Sequence, residues 1–152
     1  MNIVHTNSSN RDFTELCILL DRELNSRYGE ALSEYEMYNN IIENNQTVIL
    51  GYIDGVPVAC GCFKALDTET IEIKRMFVKA GYRKNGFATS LLASLDNWAE
   101  ELDFSIVLLE TGKGQPEAIN LYSKQGYEII EIHGPSVGIE NSICMNKEMK
   151  KV

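Results

Sequence analysis

Residues 70 to 92, Thr-Ile-Glu-Ile-Lys-Arg-Met-Phe-Val-Lys-Ala-Gly-Tyr-Arg-Lys-Asn-Gly-Phe-Ala-Thr-Ser-Leu-Leu, run from a strand-like apolar stretch through a basic, glycine-bearing turn into the start of a helix. That order constrains the fold more than anything else in the chain. The first N–H groups of a helix lack intrahelical partners and together carry roughly half a positive charge, so a glycine turn that admits an anion there is a polyphosphate site. Lys74, Arg75, Lys79, Arg83 and Lys84 stand in this stretch with no acid between Lys74 and Lys84, in a chain whose 22 Asp+Glu against 14 Lys+Arg give a net charge of -8. A basic island in an acidic protein points to one local anion and away from general nucleic-acid or anionic-membrane binding. The turn Arg83-Lys84-Asn85-Gly86-Phe87-Ala88 lacks both the Lys-Ser/Thr pair of a nucleotide P-loop and the three glycines of a Rossmann turn.

Hydrophobic periodicity organises the rest. Phe13, Leu16, Cys17, Leu20 and Leu24 predict a helix over 11–26, and the capping box Ser33 to Glu36 with Met37 and Ile41 predicts a second near 33–44. Strands are expected at 47–53 and 56–63 about an Asp54-Gly55 hairpin turn, and a third at 70–78. Apolar residues at 88, 91, 92, 95, 98, 99 and 102 mark the clearest amphipathic helix, followed by a fourth strand at 105–110. Pro116 and Gly126 bracket a helix over 115–125, and strands follow at 127–132 and 142–149. The expected fold is one α/β domain over residues 1–152: a mixed, mostly antiparallel sheet of six to seven strands, flanked by about four helices, with one βαβ crossover at the basic turn. Within the third strand the apolar positions switch from odd (Ile71, Ile73) to even (Met76, Val78), as a one-residue bulge between Lys74 and Met76 would require.

At 152 residues, 44% hydrophobic and 24% charged, the chain has the make-up of one soluble globular unit. Cys60 and Cys62 share a strand face, no Cys-x-x-Cys occurs, and His5 and His133 lie apart from the cysteines at 17, 60, 62 and 144. Free thiols in a reducing, cytoplasmic setting are therefore expected, and no metal site. The N-terminus lacks the basic region and apolar core of a signal peptide, and no apolar run approaches a membrane span.

Two segments carry a family resemblance. Arg83-Lys84-Asn85-Gly86-Phe87-Ala88 is similar to the Arg/Gln-x-x-Gly-x-Gly/Ala signature of the GNAT superfamily of N-acetyltransferases, and Ala118 to Tyr127 resembles its Ala-x-x-Leu-Tyr-x-x-x-Gly-Phe/Tyr pattern, in the same order. The resemblance implies a coenzyme A thioester in a V-shaped opening between the third and fourth predicted strands. Met76, Phe77 and Val78 would pair with the pantetheine arm, and residues Arg83, Lys84, Asn85, Gly86, Phe87, Ala88 and Thr89 would hold the pyrophosphate. Alanine at 88 departs from the commoner glycine within the range the family allows.

The implied reaction moves an acetyl group from acetyl-CoA to an amine. An alkyl amine of pKa about 10.4 is neutral in only about one part in several thousand at pH 7, a demand of roughly 4 to 5 kcal/mol, whereas a thiolate of pKa near ~8.5 needs less help to leave. By the resemblance Tyr122 is the general acid and Glu72 the general base, with Glu110 as a competitor for the second role. A backbone N–H near Phe77, freed by the bulge, would polarise the carbonyl. Acidic residues of the first two helices suit a cationic acceptor, a small molecule or a peptide, and exposed strands at the C-terminal end are compatible with a homodimer. The alternative is a non-catalytic acyl-CoA-binding or sensing module on the same fold.

Overall fold

The computed structural model describes residues 1–28, 44–112, 116–130 and 142–149. In chain order the elements are β1 (Asn2–Thr6), α1 (Arg11–Tyr28), β2 (Val48–Ile53), β3 (Val56–Ala65), β4 (Thr70–Val78), a 3-10 turn (Ala80–Tyr82), α2 (Phe87–Glu101), β5 (Ile106–Gly112), α3 (Pro116–Lys124), β6 (Glu128–Ile130) and β7 (Ser142–Glu148). The strands form a seven-stranded sheet in the order β1-β2-β3-β4-β5-β7-β6. Among the described residues only β4 and β5 pair in parallel, across the α2 crossover. The mixed α/β architecture is the expected one. The helix expected at 33–44 lies outside the described residues, as does the glycine-rich segment before β7. Among the described residues, no helix is long and apolar enough to cross a membrane.

Strand alternation divides the core in two. Val48, Leu50, Cys60 and Cys62 point to one face and pack with Phe13, Leu16 and Leu20 of α1. Ile49, Ala59, Phe63, Ile71 and Ile73 point to the other and meet Leu91, Leu92 and Leu95 of α2. The Asp54-Gly55 turn has φ of 50° and 80°, the left-handed pair that a tight β2–β3 hairpin needs. Asp96 on α2 is buried and satisfied twice: the Tyr127 hydroxyl donates to it at 2.7 Å and Lys147 Nζ at 3.0 Å, tying the helix to the far end of the sheet.

One strand lay beyond the sequence reading. Asn2–Thr6 pairs antiparallel with β2 through Tyr52 to Val48 and forms the sheet edge. His5 stacks on Trp98 at 4.1 Å between ring centres.

Two irregularities shape the middle of the sheet. On β3 the paired residues advance from Cys60 to Cys62 while their partners on β4 go from Phe77 back to Lys74, so β4 carries one extra residue. This is the bulge that the change of apolar parity anticipated, and Arg75 within it has φ 60°. The parallel β4–β5 register runs from Thr70↔Ile106 to Ile73↔Leu109 and stops. Beyond that point β4 continues to Val78 and β5 to Gly112, leaving a V between them.

Candidate active site

The bulge is secured from α1 and β3. Cys60 Sγ donates to Arg75 O at 3.3 Å and Cys62 Sγ to Lys74 O at 3.4 Å, so two thiols serve the carbonyls that the bulge takes out of the ladder. The Arg75 side chain, 7% exposed, turns to α1, where Nη2 donates to Cys17 O at 3.1 Å and pairs with Asp21 at 2.8 Å. Hydrogen bonding from Cys60, aided by the nearby guanidinium, lowers the Cys17 thiol to about 7, while burial pushes Cys62 up to about 12. All four cysteines are buried, and none is in a disulfide among the described residues.

Past the bulge lies a cleft of about 550 Å³. Met76, Phe77 and Val78 of β4 line it together with Arg83, Lys84, Gly86, Phe87, Ala88 and Thr89 from the turn and the start of α2. Gly86 caps α2 with φ 78°, a conformation that suits glycine, and a Cβ built there would meet nothing within 4 Å. An anion can therefore come directly against the first amides of α2. Asn85 supports the turn instead of facing the cleft, its Nδ2 donating to Tyr82 O and Arg83 O, both at 3.3 Å. Arg83 faces the cleft with its guanidinium engaged: Nε donates to Val78 O at 2.8 Å, and Nη1 and Nη2 each donate to a Glu23 oxygen at 2.7 Å. With side chains 35% and 30% exposed, this pair stabilises the fold by at most about 1 kcal/mol after solvent screening.

A throat of about 50 Å³ opens on the same V, bounded by α1, the bulge and β5. It shares Leu20, Met76 and Tyr122 with the cleft and adds Glu110 and Thr111. Tyr122 thus sits where the two spaces meet. It is 6% exposed, packs at 5.8 Å from the Tyr127 ring, and its hydroxyl makes no hydrogen bond among the described residues. Burial raises its pKa above the ordinary 10.0, so the phenol keeps its proton.

The two candidate carboxylates part company here. Glu72 stands opposite Leu108 in the paired part of the sheet, holds Lys74 Nζ at 3.0 Å, and lines neither space. Glu110 comes one residue after the last β4–β5 pair, at the mouth of the V, and lines the throat. Sequence reading missed Leu20 and Glu23. Leu20 belongs to a recognisable apolar stripe, but no local signal could link Glu23 to an arginine 60 residues away.

Residues 13–127 match the family model for the Acetyltransferase (GNAT) family. An "IAA acetyltransferase" of Azospirillum brasilense is 31% identical over 132 residues, 86% of each chain. A Klebsiella pneumoniae structure described as an acyl-CoA N-acyltransferase aligns with TM-score 0.82 at 22% identity, covering 98% of this chain and 97% of that one. A GNAT family acetyltransferase from Elizabethkingia anophelis with acetyl-CoA bound aligns at 0.72 with 17% identity, over 97% of both chains. The split sheet, the glycine turn on a helix start and the match over residues 13–127 lead to one conclusion: this chain belongs to the GNAT family of acetyltransferases.

Proposed function

We propose that the protein transfers an acetyl group from acetyl-CoA to a primary amine that approaches through the throat, by direct attack and without an acyl-enzyme. The observation that carries this reading is the junction itself: a cleft ending in a helix N-terminus and a throat holding a carboxylate share Met76 and Tyr122. The cleft fits the cosubstrate, since the space above Gly86 is open where a diphosphate must come close, and the β4–β5 pairing ends at Ile73, leaving room beside Met76 to Val78 for an extended arm. In this reading the amides of residues 84 to 88 and Lys84 hold the diphosphate, and Met76 to Val78 align the arm.

When bound, acetyl-CoA supplies an activated thioester carbonyl and a thiolate leaving group. Glu110 attracts the acceptor's ammonium into the throat and takes its proton, directly or through water, in preference to Glu72. The apolar walls at Leu20, Leu24 and Leu109 exclude bulk water and strengthen that attraction. Tyr122 holds a proton at Oη beside the junction, ready for the departing sulfur. In this reading a backbone N–H near Phe77, beside the bulge, polarises the thioester carbonyl where negative charge develops.

The test is an acceptor screen: incubation with acetyl-CoA and a panel of alkyl amines, amino acids, polyamines and basic peptides, read by mass spectrometry for acetylated product. Enzymatic acetylation of at least one amine, reduced by Tyr122→Phe and by Glu110→Gln, is expected. Coenzyme A binding with no transfer to any amine would favour a binding module instead.

A further inference from the structure

Arg83 is held more firmly than a side chain merely waiting for an anion. All three guanidinium nitrogens are in use, one on Val78 O and two on the Glu23 carboxylate, and Cζ lies 5.6 Å from the centre of the Phe77 ring. Glu23 comes from α1, on the opposite side of the cleft from α2, and lines the cleft together with Arg83, Lys84 and Gly86. A carboxylate of the protein itself is thus seated on the turn's only arginine, in the space where a diphosphate belongs.

We propose that Glu23 is an internal competitor for Arg83: arrival of the cosubstrate moves the guanidinium from the carboxylate to the diphosphate, and departure of coenzyme A returns it. The inference rests on the acyl-CoA reading of the cleft and assigns Glu23 a role that the reading does not require. With Nε on Val78 O and both terminal nitrogens on Glu23, a diphosphate can take the bidentate end of the guanidinium only by displacing the carboxylate. Both side chains are about a third exposed, at 35% and 30%, so the pair exchanges at low cost. The consequence is selective. Glu23 weakens binding at the diphosphate end, leaves the arm and thioester untouched, and hastens release of the product.

Glu23→Gln keeps the shape and removes the charge, and its effect separates by ligand. With the full chain, calorimetry and stopped-flow dissociation are run for coenzyme A, inorganic pyrophosphate and S-acetylpantetheine, the last carrying the arm and thioester without a diphosphate. Coenzyme A and pyrophosphate are expected to bind about three- to tenfold tighter to Glu23→Gln, with slower dissociation, and S-acetylpantetheine to bind as before. In an Arg83→Gln background the gain disappears. Unchanged or weaker coenzyme A binding in Glu23→Gln overturns the proposal, as does an equal gain for S-acetylpantetheine or a gain that survives loss of Arg83. Wild-type protein that binds neither coenzyme A nor pyrophosphate overturns the acyl-CoA reading along with it. Wild-type binding with an indifferent Glu23→Gln overturns this inference alone.

Discussion

In the proposed reaction Tyr122 and Gly86 each have a role that a neighbour of similar size could not fill. With its pKa raised by burial, the Tyr122 phenol remains an acid throughout the range in which an alkyl amine becomes a nucleophile. Its titration therefore falls above the ordinary 10.0, and kcat is expected to rise with pH with no descending limb from this residue below about pH 10. A limb near pH 8 to 9 that vanishes in Tyr122→Phe would contradict the assignment. The same variant should lower kcat about 10- to 100-fold while the Kd for coenzyme A, measured by calorimetry, stays constant. Gly86→Ala acts at the other end of the cleft. At φ 78° an alanine costs about 1 kcal/mol, and its methyl enters the open space against which an anion would rest. Its KM for acetyl-CoA should rise well beyond what that small loss of stability explains, in steady-state assays at fixed acceptor.

The bulged strand β4 is the element on which the site depends, and its supports are spread through the chain. Gly61 on β3 leaves room for Met76, whose Sδ would lie 2.6 Å from a Cβ at that position. Gly61→Ala is expected to push Met76 into the cleft, raising KM for acetyl-CoA and lowering stability by about 1 to 3 kcal/mol in urea titrations. The thiols beneath the bulge give the element a pH signature. Cys17, lowered from 9.0 to about 7, favours the folded state fully above its unfolded value, and that contribution is lost as pH falls from 9 toward 7. Cys62, raised from 9.0 to about 12, contributes below its unfolded value and loses that contribution as pH rises toward 12. Unfolding midpoints should thus climb between pH 7 and 9 and decline above it, and Cys17→Ala should flatten the climb. The bulge was legible in the sequence because a one-residue insertion inverts side-chain parity, which Ile71, Ile73, Met76 and Val78 record directly. The turn and Tyr122 were legible for a similar reason, being local in sequence. Strand β1 was not, because Asn2–Thr6 has only Ile3 and Val4 as apolar residues and is defined by pairing with β2, more than forty residues on. The ground for preferring Glu110 to Glu72 in the proposed reaction was equally hidden. It depends on where the β4–β5 register ends, and register between strands joined by a helix has no local signature.

For the whole molecule, the open V divides a sheet that is otherwise continuous from β1 to β6. A ligand lodged there touches α1, β4, α2 and α3 together, since Leu20, Met76, Ala88 and Leu121 all line the cleft. Binding at about 100 times Kd should add roughly 2.7 kcal/mol of stability, or an increase of roughly 5 to 10 °C in Tm for a domain of this size. Differential scanning fluorimetry with coenzyme A checks this, and a shift below about 1 °C at the highest concentration would mean that the folded protein does not bind coenzyme A. There is also a colloidal side to the split. Past Ile73 and Leu109 the strands β4 and β5 no longer pair, and a strand margin without a neighbouring strand is the kind that elsewhere in proteins recruits a foreign strand and seeds aggregation. Met76, Phe77 and Val78 line the cleft with Leu20 of α1 and Leu121 of α3, so a ligand lodged there covers that margin. Saturating coenzyme A should therefore slow heat-induced turbidity by more than its effect on Tm accounts for, acting for this fold as a small-molecule chaperone.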